Sequence, residues 1–117
     1  MKRDTLLDYV RREFGAEPEY LWPRFPSYAV LRHHGRGKWF AIIMKVSGAT
    51  LGLKMKDDVE IVNVKAKPAH IVFLLQKEGI FPAYHMNKNH WISVRLDGPL
   101  SSKEICGLLA DSYGLTS

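Results

Sequence analysis

The most chemically demanding residues of this 117-residue chain crowd into one stretch, Tyr84-His85-Met86-Asn87-Lys88-Asn89-His90-Trp91. His85 and His90 flank a turn there, close enough in sequence to serve as a metal pair or an acid–base pair. Their spacing matches no metal-site signature, and no carboxylate or cysteine stands beside them to complete a shell. The plainer role for both is to hydrogen-bond the backbone of the turn. A second cluster, Arg32-His33-His34-Gly35-Arg36-Gly37-Lys38, concentrates the positive charge that phosphate recognition needs. As metal ligands, His33 and His34 would need a distant third partner. Cys106 is the only cysteine, which excludes an intramolecular disulfide and a cysteine-built zinc cage. Its neighbours Ile105, Leu108 and Leu109 would raise the thiol pKa and mark it as a packing residue rather than a nucleophile. The glycines at 35–37 and 48–52 follow no phosphate-loop or dinucleotide fingerprint, so no cofactor is expected.

The elements that must position these residues follow from periodicity. From His90 to Leu96 polar and apolar residues alternate, which places Ile92, Val94 and Leu96 on one face of a strand and Trp91, Ser93 and Arg95 on the other. Ile80 to Met86 is β-prone as well, and the intervening Asn87-Lys88-Asn89 suits a hairpin connection. Tyr28–Arg32 and Lys38–Val46 read as a second hairpin with the basic cluster at its tip. The apolar run from Trp39 to Met44 suits a central strand covered by helices on one side and partly covered on the other. Val59 to Lys65 resumes strand character with broken alternation, the sign of a bulge. Three helices complete the chain. Leu6, Leu7, Val10 and Phe14 recur at helical spacing behind a cap at Asp4 or Thr5, with Gly15 as the stop. Pro68 opens a second helix, with Ile71, Val72, Leu74 and Leu75 as its apolar side and Gly79 as its end. Ser101-Ser102-Lys103-Glu104 is a capping box that opens the third. Between the first helix and first strand, Pro18, Pro23 and Pro26 exclude regular helix, and Trp22 and Phe25 are expected to pin the segment to the core.

The order α-β-β-β-α-β-β-α predicts an α+β two-layer sandwich, an antiparallel sheet with helices on one face, formed by residues 1–117 as a single domain. Lys and Arg number 17 against 12 Asp and Glu, a formal net charge of +5 that favours polyanionic partners. Acidic residues interrupt the apolar start of the chain, and no stretch approaches a membrane span. With a lone cysteine, a reducing, cytoplasmic setting is expected.

The run Pro82-Ala83-Tyr84-His85-Met86-Asn87-Lys88-Asn89-His90-Trp91, followed by Leu96-Asp97-Gly98, resembles the hallmark of the MmcQ/YjbR family. Glu17-Pro18-Glu19-Tyr20-Leu21-Trp22, Phe25-Pro26-Ser27-Tyr28-Ala29-Val30, Lys38-Trp39-Phe40-Ala41-Ile42-Ile43-Met44, Leu51-Gly52-Leu53 and Val62-Asn63-Val64-Lys65 are similar to its consensus in the same order. So are Leu108-Leu109 and Ser112-Tyr113. Asn89 departs from the family, many members of which carry Lys there. The resemblance implies a frataxin-like or secretion-chaperone-like α/β sandwich, Tyr84, His85, Asn87, Lys88, His90 and Trp91 as motif residues, and a double-wing mode of nucleic-acid binding. The residues themselves point the same way. Arg32, His33, His34, Arg36 and Lys38 on one wing and Lys88 on the other are expected to contact phosphates of double-stranded DNA, with Tyr84 and Trp91 available for stacking if exposed. The alternative is a protein-interaction module that buries the sheet face opposite the helices against a partner or a second copy of the chain. No nucleophile, base and oxyanion set can be assembled, so an enzyme is not expected.

Overall fold

In the computed structural model, which describes residues 1–117, the apolar stripes of three helices converge on one face of a five-stranded antiparallel sheet. The helices are α1 (Arg3–Phe14), α2 (Pro68–Leu74) and α3 (Ser102–Leu115). The strands are β1 (Ala29–Arg32), β2 (Trp39–Ser47), β3 (Asp58–Lys65), β4 (Ile80–Pro82) and β5 (Trp91–Arg95), in the spatial order β1-β2-β3-β5-β4. β5 therefore lies between β3 and β4, and α2 carries the chain across to the outer edge. Leu6 and Val10 of α1, Ile71 of α2 and Ile105 and Leu109 of α3 pack on Leu31, Ala41, Ile43, Val62, Val64, Ile92 and Val94. The fold class, element order and helix-covered face are those read from the sequence.

Local differences have local causes. α1 begins at Arg3, ahead of the expected cap, and Lys2 offers its first turn no side-chain bond. Asp4 instead lies within the first turn, where a carboxylate favours the helix dipole. Gly15 does end the helix, in the left-handed conformation at φ 64°. The Ser101–Glu104 capping box is formed at both hydrogen bonds. α2 is short, and only Ile71 is buried; Val72 and Phe73 are 62% and 70% exposed. β4 stops at Pro82, so Ala83 to His90 is an irregular connection rather than two long strands around a tight turn.

The expected bulge in β3 is absent, since β3 pairs with β2 in unbroken register from Asp58 to Val64. Its alternation fails because both faces are buried: Val62 and Val64 face the helices, while Val59 and Ile61 belong to a second apolar cluster on the far face. The irregularity lies in the first hairpin. Leu31 pairs with Ala41 but Arg32 pairs with Trp39, leaving Phe40 as the extra residue. This bulge puts Phe40 with the helix-side core and Trp39 on the far face, where strict alternation from Ala41 would not place it. The Phe40 carbonyl, which has no place in the ladder, accepts the Ser112 hydroxyl of α3 at 2.6 Å, and Ser112 Oγ in turn accepts the Lys65 amide at 2.8 Å.

The far face is not bare. Val30, Ile42, Met44, Val46, Val59 and Ile61 are covered by Trp22 and Tyr28 of the proline-rich segment, by Leu51 and Met55, and by Tyr84 and Met86. A partner would therefore meet this irregular cover and not the open sheet expected of an interaction module.

Candidate functional site

The strand registers bring both tips to one end of the sheet. Leu31, Ala41, Val64, Ile92 and Pro82 form a single row, and the chain beyond that row is the 32–39 tip, the 83–90 connection and the end of β3. With strands about 4.8 Å apart, the midlines of the two hairpins are separated by three strand spacings, about 14 Å.

Not every basic residue of the first tip is free at that end. The Arg32 guanidinium meets Glu19 through two bonds of 2.6 and 2.9 Å and is half-buried. His33 stacks on Tyr113 with centroids 4.0 Å apart, and its Nε2 lies 3.0 Å from the Tyr113 carbonyl and 2.9 Å from Thr116 Oγ1. That nitrogen must carry the proton, since a carbonyl can only accept. His33 therefore joins the tip to the end of α3. Gly37 lets the tip fold tightly back on His33, because a Cβ there would come within 2.5 Å of the His33 Cβ. His34 is exposed, with its ring edge over Gly15. Arg36 and Lys38 are exposed and in no ion pair.

On the second tip Lys88 is exposed and unpaired, as are the side chains of His85 and His90. Asn87 closes the turn: its Oδ1 accepts the Asn89 amide at 2.8 Å, and its carbonyl accepts the amides of His90 and Trp91. The two imidazoles take no part in those bonds. Trp91 is half-buried on β5, paired with Lys65.

A cavity of about 270 Å³ opens on the far face, walled by Trp22, Phe25, Tyr28, Trp39, Tyr84, His85 and Met86 over a floor of Ile42, Met44 and Asn63. Trp22 holds Trp39 and Tyr28 edge-to-face at 5.8 and 5.9 Å, and Phe25 stacks on Tyr28 at 4.8 Å. Burial pushes the Tyr28 phenol above its ordinary value, and the neighbouring Tyr84 adds to the rise, so it stays neutral across the physiological range. The wall at Tyr84 is fixed by fully buried polar groups. Ser93 Oγ donates to Asn63 Oδ1 and accepts the Tyr84 amide at 2.9 Å, while Asn63 Nδ2 donates to the Tyr84 carbonyl at 2.8 Å. With Tyr84 held on both sides of its backbone, the chain turns at His85, the only non-glycine residue at positive φ (57°).

The YjbR family model matches residues 14–115. The chain belongs to the YjbR family. It is 37% identical to the Bacillus subtilis (strain 168) protein YyaQ over 99% of this chain and 98% of that one. It is 32% identical to Escherichia coli O157:H7 YbdF over 83% and 70% respectively. A crystal structure of a Pseudomonas syringae protein superposes with a TM-score of 0.97 at 41% identity, covering both chains entirely. A Deinococcus radiodurans crystal structure, at 22% identity and a TM-score of 0.73 over 96% of this chain and 75% of that one, shares the fold.

Sequence reasoning missed two groups of residues in this candidate site of the YjbR-family chain. Lys65 ends β3 beside the second tip, as its pairing with Trp91 shows, and Lys67 follows it; both are free of ion pairs and line the groove between α2 and α3. Asn63 and Ser93 carried a signal: two polar residues, each central to an apolar strand, that the alternation would place on one face. Cys106 is half-buried, and burial is the main cause that raises its thiol pKa, which leaves little thiolate at neutral pH. A larger groove of about 540 Å³ runs between α2 and α3 past Phe73, His70 and Asp111. No helix is long and apolar enough to cross a membrane.

Proposed function

We propose that this chain is a non-enzymatic domain that binds DNA through phosphates, using the end of the sheet where its two tips meet. The observation that carries the reading is the placement at that end of Arg36 and Lys38 on one tip and Lys88 on the other, with Lys65 at the end of β3, none of them in an ion pair. Unpaired cations attract a polyanion without first losing a partner, and each phosphate they neutralise releases condensed counterions. The separation of the two hairpins, about 14 Å from strand spacing, is comparable to a major groove about 12 Å wide, so each wing can follow one groove wall. Arg32 and His33, tied to Glu19 and to α3, support the wing rather than touch the duplex. The contacts carry no base identity, which makes binding weak and sequence-tolerant.

A protein-interaction role finds its best support at Val72 and Phe73, exposed on α2, where Phe73 lines the groove between α2 and α3. Salt separates the two. Titration of a fluorescent random duplex at about 50 and about 200 mM salt should show binding that weakens by at least tenfold. Absence of binding at the lower salt would overturn the DNA reading, and salt-independent capture of a protein would favour the other.

A further inference from the structure

We infer that the aromatic cavity on the far face of the sheet is a receptor for one unpaired nucleobase of a strand whose phosphates lie on Arg36, Lys38 and Lys88. This inference rests on the phosphate reading and adds to it a second, chemically distinct contact. Three properties select the occupant. At about 270 Å³ the cavity falls below the roughly 300–1,000 Å³ of sites for drug-sized ligands, which suits one flat ring system. Its walls are indoles, phenols, a phenyl, an imidazole and a thioether, surfaces on which any base can stack. The segments that build it are basic in sequence. Each wall segment leads directly into a cation: Arg24 lies between Trp22 and Phe25, Lys38 precedes Trp39, and Lys88 follows Met86 by two residues. No carboxylate lines the cavity.

The last property decides between two ligands that aromatic walls commonly take. A methylated ammonium would be drawn to the ring faces, but no carboxylate lines the cavity to hold its charge, and the segments that wall it carry Arg24, Lys38 and Lys88. A base carries its phosphates with it, so ring and backbone are favoured together. The walls are also prepared in advance. Trp22, Tyr28 and Trp39 brace one another, the Phe40 bulge aims Trp39, and Asn63 with Ser93 holds Tyr84 from beneath. Little ordering is then left to occur on binding. The left-handed His85 sits at the rim, its ring 3.9 Å from that of Tyr84. A paired duplex keeps its bases stacked inside, so a base reaches this cavity only from a single strand, an end or a distorted step.

The test compares three probes on the full chain at one salt concentration: a mixed-sequence single strand, an abasic strand with the same number of phosphates, and a perfect duplex. The single strand should bind at least about tenfold tighter than the abasic strand and quench tryptophan fluorescence, with Trp22 and Trp39 as reporters. Phe25→Ala, at a half-exposed position, and Trp22→Leu should each reduce that preference while leaving abasic affinity unchanged. Equal affinity for single and abasic strands, without differential quenching, would overturn the base receptor and leave the phosphate reading standing. Failure of all three probes to bind would overturn both. Trp91 lies outside the cavity, so loss of the preference and of the differential quenching in Phe25→Ala separates cavity binding from stacking on Trp91 even if Trp22→Leu does not fold.

Discussion

The two faces of the sheet are built on opposite plans. On one, three helices bury a continuous apolar cluster in which Phe40, Leu6, Ile92, Leu109 and their neighbours are sealed from solvent. On the other, irregular segments lay aromatic side chains over six buried residues and leave a cavity. Each face is pinned by one buried serine that bridges two strand-level groups: Ser112 joins Phe40 and Lys65 on the helix side, and Ser93 joins Asn63 and Tyr84 on the other. Close packing secures the first face, whereas the second combines a small core with a preformed opening. A sealed core and a preformed opening thereby lie on different sides of the same strands, and the bulge at Phe40 sends adjacent aromatic residues to each.

The contrast breaks most visibly at that pair. Phe40→Ala should cost about 3–5 kcal/mol, because a large side chain is lost from a sealed core that cannot collapse around the void. Phe25→Ala on the opposite face, half-exposed at the start, should cost about 1 kcal/mol or less. Urea denaturation of the two variants measures the gap, and equal losses would mean that the far face contributes as much stability as the helical one.

The two serines sharpen the comparison at intermediate size. Ser112→Ala strands the Phe40 carbonyl and the Lys65 amide, and Ser93→Ala strands the Tyr84 amide and weakens the hold on Asn63, each for about 1–3 kcal/mol. Their local effects should differ. Hydrogen exchange at Tyr84 and His85 should accelerate in Ser93→Ala but not in Ser112→Ala, since only the former releases the cavity wall.

Smaller effects are expected at the turn and at α3. His85→Gly removes the Cβ penalty of a left-handed residue but adds freedom to the unfolded chain, so stability should rise by no more than about 1 kcal/mol. Glu104 is held below its ordinary pKa first by the Ser101 backbone amide and then by Lys77. A depressed carboxylate contributes stability that is present above its unfolded pKa and lost as pH falls through the folded one. The Glu104→Gln variant should therefore lose less stability than the parent between neutral and strongly acidic pH in thermal melts.

Much of this architecture is legible in the sequence because it is local. The capping box at Ser101, the stop at Gly15, the alternation through β5 and the pinning of the proline-rich segment by Trp22 are each written within a few residues, whereas Phe25, expected to pin it too, stacks on Tyr28 and stays half-exposed. What is not legible depends on partners distant in sequence. Nothing near Arg32 announces Glu19, 13 residues away, or predicts that His33 will close on Tyr113 and Thr116, 80 and 83 residues away. The bulge escapes for a related reason: Trp39 and Phe40 are both β-prone and apolar, so only their opposite surroundings distinguish them. The basic end itself is half legible, since the tips are visible as loops but their common side of the sheet follows only from strand order.

The most direct test of the two-tip phosphate site is the slope of log affinity against log salt for a random duplex, measured for the parent chain and for two variants. Replacing Arg36, Lys38 and Lys88 together with Ala should reduce the magnitude of the slope by about 2.7, at roughly 0.9 per phosphate contact on B-DNA. Folding stability should hardly change, because all three side chains are exposed and unpaired. Arg32→Ala should do the reverse, lowering stability while leaving the slope near its parent value, because Glu19 already neutralises that guanidinium. A parent slope near zero, or a slope lost with Arg32 but kept without the three tip cations, would contradict the account.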